Sequence, residues 1–249
     1  SLRHECLEMD FVDIAAGDDF LERYVIDQPF RIMATEVTQG MYEGLMGFNP
    51  AHFVTCMGEC PVEMVSWNNA AVYANMLSEA EFLDPCYDCT LTMPGDPTSV
   101  IACVTDAAYS HVAECPGYRL PTEAEWEHAA RAGSVTRYSF GDDDAQLGSH
   151  AWFNQNSSGS NPVGQKQANS NGLFDIYGNV REWVFDRYDS SAYNGSPQTD
   201  PTGPSSGGNR VIRGGSNVNT AVNLRSARRN HQSPNFRSPT TGFRLLLVR

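Results

Sequence analysis

The sequence predicts an α+β fold of a few short helices, small strands and a large share of irregular loop. Residues 11–15 and 30–37 alternate or cluster apolar side chains as strands do. Three later segments carry helix-start signals ahead of apolar residues at helical spacing. Beyond Gly133 the chain is rich in Gly, Asn, Ser, Asp and Pro, with only short apolar islands. The chain has 249 residues, 41% of them hydrophobic and 19% charged, so it holds enough apolar material for a sizeable core and disorder is excluded. No apolar run approaches the roughly 20 residues of a membrane helix, so a transmembrane segment is not expected.

Thr38 is a good N-cap for a first helix over 39–46, with Met41, Leu45 and Tyr42 facing inward and Gly47 closing it. Ser66 caps a second helix from Trp67 to about Phe82, in which Ala70, Tyr73, Ala74 and Leu77 share one face. The third start is the clearest, because Thr122 and Glu125 have the spacing of a capping box, and Gly133 ends the helix. Glu123, Glu125 and Glu127 suit the positive end of its dipole, which makes a structural role the simpler reading of these acids. Between Leu83 and Gly117 periodicity vanishes, and a Cys-rich insertion at about 84–116, stapled to the surface, is expected within one domain spanning 1–249.

Six of the seven cysteines, Cys56, Cys60, Cys86, Cys89, Cys103 and Cys115, fall within sixty residues among Gly, Pro, Thr and Asp. Such clusters belong to disulfide-closed loops of exported proteins, which points to an extracellular, periplasmic or cell-surface location. The rival is a zinc site beginning at the Cys86/Cys89 pair. Zinc favours two tight ligand pairs, and Cys103 and Cys115 are too far apart to make the second. Connectivity and the state of Cys6 stay open. The six histidines show no metal-ligand spacing.

The formal net charge is −13, unevenly spread: residues 210–249 hold eight arginines and no acid, leaving the first 209 at −21. Two readings compete. The arginines are internal forks tying the tail to the acidic body, or they form an anion-binding surface. Nucleic acid is not an expected partner, since a body of this charge repels phosphate backbones at long range.

Four segments in order carry a family resemblance. They are Thr35-Glu36-Val37-Thr38; Arg119-Leu120-Pro121-Thr122-Glu123-Ala124-Glu125-Trp126-Glu127 within 117–127; Gly178-Asn179-Val180-Arg181-Glu182-Trp183 closing 172–183; and Arg213-Gly214-Gly215-Ser216 leading to Gly242-Phe243-Arg244. Together they resemble the formylglycine-generating enzyme, or sulfatase-modifying factor, family. The resemblance spans nearly the whole chain outside the Cys-rich insertion. It implies a C-type lectin-like fold, in which 210–213 and 243–248 are core strands.

The family's oxidase chemistry uses two cysteines, shortly after the Gly-Gly-Ser, that bind copper. Here residues 216–225 contain none, and no cysteine follows Cys115. Asn and Thr do not supply a soft-metal thiolate site, so no copper and no catalytic residue are expected, and the chain leans away from being an enzyme. Arg181 stands where the family commonly has tryptophan. The resemblance also implies a structural calcium site at Asp175, Gly178, Val180 and Glu182, whose hard oxygen donors suit the ion. The competing assignment pairs Glu182 with an arginine of the tail.

Between the tail's expected strands lie Asn217, Asn219, Thr220, Asn223, Arg225, Arg228, Asn230, His231, Gln232, Asn235, Phe236 and Arg237. This mixture of amides, guanidinium groups and one aromatic ring donates and accepts in many geometries without a nucleophile, which suits recognition. The expectation is an exported ligand-binding module presenting 217–237 to a protein, peptide or glycan. Arg213, Arg225, Arg228 and Arg244 are expected to anchor to the acidic body. The Asn-rich composition also resembles the retroelement-diversified variable proteins of this family. The alternative is a metal-dependent oxidoreductase with a non-cysteine active site.

Overall fold

The alternation near the N-terminus does form strands, and they pair with each other. The structure, a computed structural model, describes residues 9–56, 58–195 and 197–248. Its elements begin with β1 (Phe11–Ile14), β2 (Gly17–Asp18), β3 (Tyr24–Ile26), β4 (Phe30–Met33), α1 (Gln39–Met46) and α2 (Trp67–Ala80). They continue with β5 (Tyr87–Leu91), β6 (Val100–Thr105), α3 (Glu123–Arg131), α4 (Leu147–His150), β7 (Arg181–Arg187) and β8 (Gln198–Thr199). The tail supplies β9 (Arg210–Arg213), β10 (Asn230–Gln232), β11 (Thr241–Gly242) and β12 (Leu246–Val248).

Strand β4 lies between β1 and β12, antiparallel to both, with Ile32 opposite Val12 on one side and Leu246 on the other. The strand stops at Met33 although the apolar run continues. Ala34 donates to Asp10 O, and Val37 instead donates to Phe243 O and accepts from Val62. A second sheet has the order β10-β9-β7-β11, with β11 parallel to β7. All four residues of β9 are buried, so the tail's first strand is core despite its two arginines.

Helix α1 is capped by Thr38, whose hydroxyl accepts from Met41 N, and ends at Gly47 in the left-handed region (φ 80°). Helix α2 carries a capping box between Ser66 and Asn69. It ends at Ala80, two residues before the expected Phe82, which sits at φ 60° and is 96% exposed. The indoles of Trp67 and Trp183 lock α2 to β7, donating to Val184 O (2.8 Å) and Val65 O (3.0 Å). Helix α3 has its predicted capping box of Thr122 and Glu125 and stops at Arg131, one turn residue before Gly133.

Six of the cysteines form three disulfides, Cys56–Cys60, Cys86–Cys115 and Cys89–Cys103. Cys6 lies outside the described residues. Within the Cys-rich stretch, where no periodicity was visible, β5 and β6 form an antiparallel hairpin with Cys89 opposite Cys103. Cys86, Tyr87, Cys103 and Cys115 are buried in the core cluster around α2. Alternation was obscured because this hairpin is pinned by sulfur as much as by apolar side chains.

Candidate functional site

The tail is held by the acids of α3. Arg213 reaches Glu123 (3.1 Å) and Glu127. Arg229 forks onto both oxygens of Glu123 at 2.7 Å. Glu127 also accepts from Arg23 and Arg131, each at 2.7 Å, and Arg119 forks onto Glu125 at 2.7 Å. Burial alone would raise the Glu127 pKa, but Arg213, Arg23 and Arg131 outweigh it and hold the carboxyl down at about 2. These glutamates are therefore buried ion-pair hubs, a larger role than the helix-dipole partnership expected of them. Arg210 is held differently, its guanidinium 3.6 Å above the Trp67 ring.

Arg244 closes the other end. Its Nε and Nη2 donate to the two oxygens of Glu182, both at 2.8 Å, and its remaining donors reach Met33 O, Ala34 O and Phe174 O. Of the four arginines expected to anchor, Arg213 and Arg244 do so. Arg225 and Arg228 make no ion pair among the described residues, Arg225 Nε donating instead to Val222 O at 2.9 Å, and Arg229 takes the anchoring role.

The loop carrying Asp175, Gly178, Val180 and Glu182 does curl, with positive φ at Asp175, Gly178 and Asn179. Glu182 is paired with Arg244 of the tail, the competing assignment for this carboxylate. Both Glu182 oxygens accept from Arg244, and Oε2 also accepts from Trp126 Nε1 at 2.8 Å, so a guanidinium already neutralises that carboxylate. Asp175 Oδ2 accepts from Gly164 N at 2.7 Å, leaving Oδ1 without a partner. Among the described residues no three His, Cys, Asp or Glu side chains converge to hold a metal ion. Glu36, fully buried beside them, accepts from Val180 N (3.2 Å). Burial, then Asp175 and Glu182, push the Glu36 carboxyl well above its ordinary range. Burial likewise lifts Asp175 to about 6.

From this scaffold the segment 217–240 loops outward. Gly215 sits at φ 74°, and a Cβ there would meet Asn223 O at 2.9 Å, so the turn that launches the loop depends on glycine. Asn217 does not face a ligand as expected: it is fully buried, its N–H donating to Asn179 O, and neither side-chain polar atom has a partner. Asn219 Oδ1 accepts from Ser216 N, Ser216 Oγ and Arg181 Nη2. Leu224 is buried and pins the middle of the loop. His231 stacks on Tyr188 with ring centroids 4.0 Å apart, and Phe236 leans on the core around α2.

The remaining expected residues are accessible to differing degrees. Thr220, Arg228, Asn230, Gln232, Asn235 and Arg237 are exposed, while Asn223 and Arg225 are half-buried. Asn235 is steadied by Asn68, whose amide donates to it at 2.7 Å. Between Arg228 and the neighbouring loop lies a groove of about 610 Å³ lined in part by Arg137, Tyr188, Arg225 and Arg229. A smaller cavity of about 70 Å³ lies between Arg181 and Arg228, bordered by Asn219, Asn223 and Asn230. Sequence reasoning missed Arg181 as part of this face. Its one signal was the arginine standing where the resemblance leads one to expect tryptophan.

Residues 12–248 match the family model of the sulfatase-modifying factor enzyme 1-like domain. The chain is 32% identical over 226 residues to the chaperone protein LppX of Paenibacillus barcinonensis, covering 81% of this chain and 75% of that one. It is 34% identical over 250 residues to a formylglycine-generating enzyme of Thermomonospora curvata, covering 93% of this chain and 68% of that one. With the formylglycine-generating enzyme of Streptomyces coelicolor it shares 35% identity over 167 residues, spanning about half (52%) of that protein. Among solved structures, Treponema denticola variable protein 1 superposes with a TM-score of 0.83 at 31% identity, covering 98% of this chain and 96% of that one. CarF superposes at 0.71 with 28% identity, covering 98% and 99%. The chain therefore belongs to the family of the sulfatase-modifying factor enzyme 1-like domain and has its C-type lectin-like fold.

Proposed function

We propose that this chain is an exported, non-catalytic binding module that presents residues 218–237 to a protein, peptide or glycan. One observation carries the reading: the tail is bolted into the core at its ends through Arg213 and Arg244 and in its middle through Arg229, while residues between these anchors turn amides and guanidinium groups without ion pairs outward. A rigid frame under an exposed polar loop lets loop residues change without loss of the fold. The similarity to a structure named as a variable protein supports diversification of this segment, and three disulfides support export. A second near-copy of the DNA encoding 210–249 beside a reverse transcriptase would establish the diversification.

The test is capture from peptide-display and glycan panels, comparing the natural protein with one whose exposed positions 220, 228, 230, 232 and 237 are changed together to serine. Ligands retained by the first and lost by the second, at equal thermal stability, are expected. Retention by both places the binding site elsewhere. A second reading, oxidation of a substrate by the family's enzymes, rests on the formylglycine-generating relatives. Residues 216–225 supply no thiolate for it, so a cysteine-containing peptide should pass through the protein with copper unoxidised.

A further inference from the structure

We infer that the cavity between Arg181 and Arg228 is a carboxylate subsite, which takes one aspartate or glutamate side chain of a peptide ligand. The inference deepens the reading of the 218–237 face as a binding surface by naming the chemistry at its floor.

Arg181 is the anomaly that points there. It sits on β7, and its guanidinium donates from Nη1 to Thr240 Oγ1 (3.0 Å) and from Nη2 to Asn219 Oδ1 (3.1 Å). Neither partner is charged. Arg119, Arg213, Arg229 and Arg244, which hold the same scaffold together, each have a glutamate. Burial lowers the Arg181 pKa and no carboxylate offsets it. Thirty acids face seventeen bases in this chain, so an arginine with only neutral partners, a state the half-buried Arg181 shares with Arg210, stands apart from the four glutamate-paired arginines.

The cavity beside it has donors and no acid. Arg228, exposed and without an ion pair, stands on one side, with the amides of Asn219, Asn223 and Asn230 around the rim. Arg213 also borders the space, but Glu123 and Glu127 already neutralise it. Asn219 spends its Oδ1 on Ser216 and Arg181, and Asn230 spends its Oδ1 on His231 N, so in both the amide nitrogen is the group left to donate. Guanidinium forks match planar carboxylates in pairs of parallel hydrogen bonds.

Size and charge narrow the ligand. About 70 Å³ admits a carboxylate and the carbon that bears it. The whole chain carries −13, which opposes a phosphate of roughly −1.5 to −2 more than a single carboxylate. The adjoining groove shares Arg228 with the cavity and gives the rest of a peptide somewhere to lie.

The test titrates the intact protein with sodium acetate, sodium sulfate and sodium glucuronate against sodium chloride at matched ionic strength. The Arg Nε–H resonances report binding. Acetate should shift Arg181 and Arg228 saturably, with binding at least tenfold weaker in R181Q, several-fold weaker in R228Q, and largely restored in R181K. R31Q, on the far sheet, should bind as the natural protein does. If acetate acts no differently from chloride, or if R181Q and R228Q bind it undiminished, the subsite is refuted. Saturation by sulfate or glucuronate in preference to acetate overturns the choice of a peptide carboxylate. R228Q changes an exposed side chain, so it decides the matter if R181Q fails to fold. Display-panel peptides that bind the natural protein and both variants equally refute the subsite and leave the binding module standing. Saturable acetate with no captured peptide or glycan keeps the subsite and refutes the module.

Discussion

Replacing Glu127 with glutamine separates electrostatic anchoring from simple packing in this fold. The side chain is 2% exposed and accepts from Arg23, Arg131 and Arg213. Arg213 keeps Glu123 and Arg23 keeps Asp19 when Glu127 is neutralised, but Arg131 loses its only ion pair among the described residues. The Glu127 carboxyl moves from an ordinary 4.5 to about 2 on folding. At about 1.4 kcal/mol per pH unit, that shift makes ionised Glu127 worth about 3 kcal/mol to the native state. This falls at the lower end of the roughly 3–5 kcal/mol lost when one member of a buried pair is removed.

The folded pKa is depressed, so the contribution is fully present above the unfolded pKa of 4.5 and is lost as pH falls towards about 2. Urea unfolding of the natural protein and E127Q should differ by about 3 kcal/mol at pH 7, and by about 1.4 kcal/mol less at pH 3.5. A difference below about 1 kcal/mol at pH 7, or one that stays constant down to pH 3.5, would refute the hub.

Asp175 behaves in the opposite sense. Its folded carboxyl is raised to about 6 from 3.8, so its stabilisation is greatest below pH 3.8 and falls away by pH 6. D175N should remove up to about 3 kcal/mol of that slope, and an unchanged pH profile of unfolding between 4 and 6.5 would contradict the assignment. Because Arg244 already neutralises Glu182, EDTA should leave the melting temperature within about 1 °C of its value in added calcium. A rise of several degrees with calcium would show that the Arg244 fork opens for the ion. Opening the Cys89–Cys103 link, at a sequence separation of 14, by a paired change to serine should cost about 3 kcal/mol in calorimetry or urea unfolding. A loss under 1 kcal/mol would mean that the β5–β6 hairpin holds without it.

Local signals carried much of the fold. Caps are short-range chemistry, so Thr38, Ser66 and Thr122 could each be read within four residues of the helix they start. The hairpin of β5 and β6 was less legible, because its pairing is fixed by Cys89 and Cys103 across the two strands. Within the binding face, Asn217 and Asn219 are neighbours of the same polar character, yet one is fully buried and the other borders the cavity. Composition treats them alike; the turn at Gly215 and the hydrogen bond from Asn217 N to Asn179 O separate them.

The amino-acid sequence by itself determined the fold class, the three capped helices, the disulfide-rich character and the lack of a thiolate pair in the tail. Each depends on residue type at short spacing. Only the tertiary structure decided which arginines of the acid-free tail are spent inside and which are left outside. Arg213, Arg229 and Arg244 meet Glu123, Glu127 and Glu182 across 62 to 106 residues of chain, whereas Arg228, one residue from Arg229, meets none. Charge pairing over such separations is set by how the strands bring side chains together, and that geometry makes part of one basic segment scaffold and leaves Arg228 and Arg237 at the surface.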